Sequence, residues 1–198
     1  GNIVGNTLVL PNSNITQPGK YTLTLTNPIT LCPKSLTVDV KAADPPNITP
    51  NDLEIVELSE NNSVTIINPS SLGNSTYMFS LVSDDGQIYF PYQDSPVFNN
   101  LRAGFYTLFA QDVESICDEV ELRISVIGHR KFFTPNGDGT NEYWQIQGLD
   151  ISQANSVIRI YDRYGKLLKQ LDPLSVGWDG TFNGSRMPTD DYWFSLVL

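Results

Sequence analysis

The chain has 198 residues, with 40% hydrophobic and 11% aromatic content, enough to bury real cores, and nothing in the composition points to disorder. Its formal net charge is −10, almost all of it in residues 1–128, and no basic stripe offsets it, which argues against nucleic-acid or anionic-lipid binding. No apolar run approaches the roughly 20 residues of a membrane-spanning helix, and no signal peptide is visible. The sequence starts at Gly1 without a Met and is read as a fragment or a processed product.

In chain order, nearly every segment carries a strand pattern. Tyr21–Leu25, Leu36–Val40, Val64–Ile67, Tyr77–Val82, Phe105–Phe109 and Val120–Val126 alternate apolar and polar residues and are rich in β-branched and aromatic types. Asn, Gly, Pro, Ser and Asp punctuate them. No 3.6-residue periodicity with caps stands out, and Ala154–Ile160 is short and β-branched, so a strand is expected there too. Short strands at this density predict an all-β chain of sandwiches.

An internal repeat organises the first two thirds. Gly19-Lys20-Tyr21-Thr22-Leu23 recurs as Gly104-Phe105-Tyr106-Thr107-Leu108, and Cys32 and Cys117 follow at the same offset, each ahead of an alternating strand. The spacing suits tandem Ig-like β-sandwiches. The expected boundaries are residues 1–43, the C-terminal half of such a unit; residues 44–128, a complete unit; and residues 129–198, a small antiparallel β-sandwich. The run Ala42-Ala43-Asp44-Pro45-Pro46 is read as the linker, stiffened by its prolines. Half a sandwich cannot bury its inner faces, so residues 1–43 need completing. Equivalent cysteines in successive repeats do not pair within one domain, so Cys117 is expected to be a buried or half-buried free thiol.

The texture changes after His129. Ile158 and Ile160 alternate with Arg159 and Tyr161, Arg163-Tyr164-Gly165-Lys166 forms a turn, and Leu167-Leu168 returns as the second arm of a hairpin. Trp178-Asp179-Gly180 and Phe182-Asn183-Gly184 are tight turns, and Tyr192–Leu198 is a last apolar strand. The ordered series Phe132-Phe133-Thr134-Pro135-Asn136-Gly137-Asp138-Gly139, Tyr161-Asp162-Arg163-Tyr164-Gly165-Lys166, Gly177-Trp178-Asp179-Gly180 and Asp190-Asp191-Tyr192-Trp193-Phe194 resembles the gliding-motility-associated C-terminal domain, the type-B sorting domain of type IX secretion. The resemblance covers about residues 128–198. It implies an export and surface-attachment signal at the end of a cell-surface protein of a Gram-negative bacterium, often an adhesin built of Ig-like repeats. It also implies protein partners: the type IX translocon and its outer-membrane β-barrel shuttle, or a small outer-membrane β-barrel. Family members continue past the Tyr-Trp-Phe strand into a final strand, and this sequence stops at Leu198 without it.

Candidate sites follow from chemistry. Asn136, Asp138, Thr140 and Glu142 place oxygens at every second position on a glycine-rich turn, the donor type a Ca²⁺ loop uses, although the spacing departs from an EF-hand. The same residues equally suit a turn whose Asn and Asp bond their own backbone. Asp162, Arg163, Tyr164, Gly165, Lys166, Trp178, Asp179, Tyr192 and Trp193 are the candidate partner-recognition residues; solvated hairpin charges would account for the ionic ones. Trp144, Trp178 and Trp193 suit core packing better than a sugar platform. No catalytic site is expected. The acid pairs Asp84-Asp85 and Asp190-Asp191 lie in turn sequence, Ser195 has no nucleophile-elbow context, and the single His129 removes most His-based catalysis and most zinc sites. Two competing expectations are accessory modules of a secreted hydrolase and carbohydrate binding by the Ig-like units, for which Tyr89-Phe90-Pro91-Tyr92 is the exposed aromatic candidate.

Overall fold

The computed structural model describes residues 2–4, 7–9, 17–42, 44–114 and 119–198. The chain divides into two compact units, Gly1–Asp44 and Pro45–Leu198. Among the described residues every regular element is a strand or a single 3₁₀ turn, so the all-β expectation holds.

In the first unit, β1 (Asn2–Val4) pairs with β2 (Thr7–Val9), and β3 (Gly19–Thr26) pairs antiparallel with β4 (Pro33–Val40). The β3–β4 hairpin leaves Leu25, Leu36 and Val38 exposed. Cys32 is an exposed free thiol, and Cys117 lies outside the described residues.

The second unit begins with a seven-strand sandwich. One sheet contains β5 (Leu53–Val56), β6 (Asn62–Ile66) and β9 (Val97–Leu101), in the order β5-β6-β9. The other contains β7 (Tyr77–Ser83), β8 (Tyr89–Gln93), β10 (Gly104–Asp112) and β11 (Val120–Val126), in the order β11-β10-β7-β8. All pairings are antiparallel. Alternation builds the core: Val64, Ile66 and Phe98 of the first sheet meet Phe79, Leu81, Tyr106, Leu108, Ala110 and Val126 of the second. Pro91 sits on the edge strand β8, where a missing N–H costs no ladder bond and discourages further pairing.

The repeat is a structural one. Gly19 opens β3 with φ +150° and Gly104 opens β10 with φ +151°. The Tyr21 hydroxyl donates to the Gln17 carbonyl at 2.7 Å, and the Tyr106 hydroxyl donates to the Arg102 carbonyl at 2.7 Å. This is the tyrosine corner found in Ig-type sandwiches, tying a strand start to the loop before it. Hence β3–β4 corresponds to β10–β11, the last hairpin of a sandwich.

The rest of the second unit is smaller. Strand β12 (Gly128–His129) pairs with β13 (Ile146–Gln147). Next come β14 (Val157–Tyr161), β15 (Leu167–Leu171), the short hairpin β16 (Thr181–Phe182) and β17 (Ser185–Arg186), and β18 (Trp193–Val197). The main sheet has the order β15-β14-β18. Strand was expected over Ala154–Ile160, but it begins only at Val157. The 3₁₀ turn over Ile151–Gln153, capped by Asp150, is followed by further turn bonds, from the Ala154 amide to the Ile151 carbonyl and from the Ser156 amide to the Gln153 carbonyl, which delay the strand. Ile127, Trp144, Ile146, Ile158, Ile160, Leu168, Leu171 and Trp178 form a second core, separate from that of the sandwich.

Candidate functional site

The main sheet of the terminal domain repeats part of the sandwich's plan. In the sandwich, β10 follows a tyrosine corner, pairs with β7 on one side, and is covered on its other edge by β11. In the terminal domain, β18 follows Tyr192, whose hydroxyl donates to the Pro188 carbonyl at 2.5 Å, and pairs with β14 as β10 does with β7. Among the described residues no strand covers the other edge of β18.

The same domain carries a cleft of about 670 Å³, walled by Phe132, Phe133, Trp144, Tyr192, Trp193 and Phe194. His129, itself exposed, places its ring 4.8 Å from Phe194 and 6.1 Å from Trp144. Trp144 and Phe194 stand 5.1 Å apart, and Phe133 and Tyr192 both pack on Trp178, at 5.5 and 5.1 Å. At the mouth, Phe132 is 67% and Trp193 66% exposed. Two bulky aromatics open to water at one cleft form an apolar surface of the kind that marks an interaction site. Arg130, Lys131 and Arg186 on one side, and Asp190 and Asp191 on the other, give the cleft a charged rim.

The expected recognition residues fall into two sets. Asp162 closes the β14–β15 turn: its carboxylate accepts from the amides of Tyr164 and Lys166, both at 2.9 Å. Gly165 takes the left-handed conformation there, φ +81°. That turn presents Tyr164 at 87% exposure and is tied to its neighbours by Arg163 with Asp190, at 3.3 Å, and by the Lys166 ammonium 4.6 Å above the Phe182 ring. Asp162, Arg163, Tyr164, Gly165 and Lys166 thus share one end of the domain with the segment that leads into Tyr192 and Trp193. Asp179 braces the Trp178 turn instead. It accepts from the Thr181 hydroxyl at 2.7 Å and amide at 3.0 Å, and the hydroxyl bond foremost holds its carboxyl below the usual range.

Trp178 does not belong with the surface set. It is 2% exposed, donates its indole N–H to the Thr181 carbonyl at 2.8 Å, and forms a β-bridge with Trp144. A ring so enclosed cannot meet a partner. Trp144, 9% exposed, is core as well, so of the three tryptophans only Trp193 faces solvent.

The loop 136–142 closes on itself. The Asp138 carboxylate accepts from the Thr140 amide at 2.7 Å and from the Asn136 side-chain amide at 2.8 Å. Asn136 in turn accepts from the Asp138 amide at 3.1 Å, and Glu142 accepts from the Gly139 amide at 3.0 Å. The Asn136 bond first, then the Thr140 amide, lowers the Asp138 pKa. Of the four oxygen donors expected for Ca²⁺, three already serve these turn bonds, and among the described residues no cluster of three His, Cys, Asp or Glu side chains could hold a metal ion. The acid pairs are equally occupied. Asp84 pairs with Arg123 at 2.7 Å, and Asp85 accepts from the Ser83 hydroxyl, which holds its pKa down, the reverse of what a general acid needs. In the aromatic segment, Tyr89 is 63% exposed, while the Tyr92 hydroxyl donates to the Glu119 carboxylate and its pKa is raised, first by burial and then by that bond.

Sequence reasoning passed over Phe132 and Phe133 as part of the cleft. A signal was available: adjacent residues of an extended segment point to opposite faces, so Phe-Phe side by side obliges one ring to face outward.

Residues 127–198 match the family model of the CHU_C type IX secretion signal domain. The cleft, the open β18 edge and the 162–166 turn all lie within that segment. The match makes this a chain addressed to type IX export, hence to the cell surface or the extracellular space and to contact with the secretion machinery. No curated protein matches the chain. Among solved structures, the rat CD45 extracellular region, domains d3–d4, aligns at 18% identity over 64% of this chain and 74% of that one, with a TM-score of 0.32; so loose a superposition carries no argument. No helix among the described residues is long and apolar enough to cross a membrane, which leaves strand-built membrane proteins unaddressed.

Proposed function

We propose that this chain is the C-terminal part of a type IX-exported surface adhesin, in which the Ig-like repeats form a non-catalytic stalk and the terminal domain is the address read during export and attachment. The observation that carries the reading is the match of residues 127–198 to the type IX secretion signal domain, within which the aromatic cleft lies. The cleft offers a partly exposed apolar seat with charged residues around it, which suits recognition by surface complementarity to an outer-membrane partner of the translocon. The 162–166 turn, with Tyr164 outward, supplies a second contact at the end of the same domain.

Deleting residues 129–198 from the natural protein, in a host with a working type IX system, tests this. Retention of the truncated protein inside the cell, with the intact protein on the surface, is the expected result. Surface display of the truncated protein at the natural level would overturn it.

A further inference from the structure

The junction between the sandwich and the terminal domain has no slack. Val126 is buried in the sandwich core, and the next residue, Ile127, is buried in the terminal core. Both backbone groups of Ile127 are held by the loop after β5. Its N–H donates to the Glu57 carboxylate at 2.8 Å, and its carbonyl accepts from the Leu58 amide at 3.0 Å. The flanking chain packs closely against the sandwich. A methyl group on Gly128 would stand 2.8 Å from the Ala103 side chain, and one on Gly148, whose φ is +80°, would stand 2.4 Å from the Val126 carbonyl oxygen. Asn62, itself buried, stiffens the sandwich side by accepting from the Ser59 amide and donating to the Leu101 carbonyl. The exposed pair Lys131–Glu60 spans the same seam but adds little at such exposure.

Separate domains of one chain ordinarily move against each other across an exposed linker. Here a single buried residue belongs to one core while its backbone is clamped by the other domain. We infer that residues 45–114 and 119–198 form one rigid body, with Glu57 as its latch, and that the sandwich fixes the direction in which the terminal cleft is presented. The second half of this inference rests on the export reading above; the first does not. Glu57 acts through Ile127, so it is a positioning residue rather than part of the recognition surface.

Two variants of the full chain test it: a four-residue Gly-Ser insertion between Val126 and Ile127, and Glu57→Ala. In residual dipolar couplings, the natural chain should fit one alignment tensor for residues 45–114 and 128–198 together. The insertion should give two tensors while both domains keep their dispersed spectra. Glu57→Ala should speed exchange of the Ile127 amide about tenfold or more, the loss expected for a hydrogen bond to a charged acceptor. Two tensors in the natural chain, or unchanged Ile127 exchange in Glu57→Ala, would overturn the rigid unit. In the export host, the insertion variant should be displayed at a fraction of the natural level. Natural display despite two tensors would overturn the presenting role. Absence of display from the natural chain itself would count against the export reading, and the couplings would still decide rigidity.

Discussion

The Tyr192 hydroxyl donates to the carbonyl oxygen of Pro188, four residues upstream, at 2.5 Å. Tyr106 does the same to Arg102, and Tyr21 to Gln17. The same bond therefore fixes the strand that follows it in three places along the chain, and it relates the terminal sheet to the sandwich that precedes it.

That relationship makes Tyr106→Phe informative. The ring stays in the core, so only the corner bond is lost, at a cost of about 0.5–1.5 kcal/mol. Urea unfolding monitored by circular dichroism should show a lower midpoint with an unchanged slope. The substitution should also remove an alkaline dependence. Burial raises the Tyr106 phenol above its ordinary 10.0, so its stabilising contribution is complete below pH 10 and is lost as pH rises through the higher folded value. Tyr106→Phe should flatten that part of the stability profile.

The tryptophans should separate sharply. Trp178→Ala empties the centre of the terminal core and should cost about 3–5 kcal/mol, whereas Trp193→Ala, at 66% exposure, should stay within about 0.5 kcal/mol. Thermal melts of the two variants check this. A pronounced loss of stability in Trp193→Ala would mean that its ring is covered in solution.

Acid should loosen the turns before the cores. The carboxyls of Asp85, Asp138, Asp150 and Asp179 are all held below their ordinary 3.8, in each case first by a side-chain hydrogen bond: from Ser83, Asn136, Ser152 and Thr181 respectively. Depressed carboxyls contribute stability above the ordinary range and lose it as pH falls through their lower folded values. Amide exchange followed from pH 5 down to pH 2 should show Thr140, Ser152 and Thr181 losing protection together, because each amide bonds one of these carboxylates.

How much of this was legible in the sequence depends on the range of the interactions. Alternation in Tyr77–Val82 and Val120–Val126 announced strands because one face of each is buried by a partner sheet. The strands Leu53–Val56 and Val97–Leu101 are only four and five residues long and flank β6 on its two edges, too short for a pattern to mark them. The Gly-x-Tyr repeat was visible, but its meaning, a hydroxyl reaching back four residues, is a three-dimensional fact. Trp178 stood both among the recognition candidates and among the tryptophans expected to pack in the core, and its 2% exposure and its bridge to Trp144 decide for the core. The junction left least trace. Glu57 and Ile127 are 70 residues apart, and nothing in either sequence context distinguishes a clamped carboxylate from a solvated one.

The oxygen-rich loop supplies the last prediction. Its turn is built from Asx-type bonds, so it should keep its shape in the presence of a chelator, with Thr140 and Gly139 amides still protected. Asp138→Ala should release the Thr140 amide, whereas Asp138→Asn, which retains one acceptor oxygen, should release it less. Equilibrium dialysis of the chain with millimolar Ca²⁺ completes the experiment. Protection that disappears with chelator and returns with Ca²⁺ would mean that a cation, rather than the Asp138 and Asn136 bonds, holds the loop.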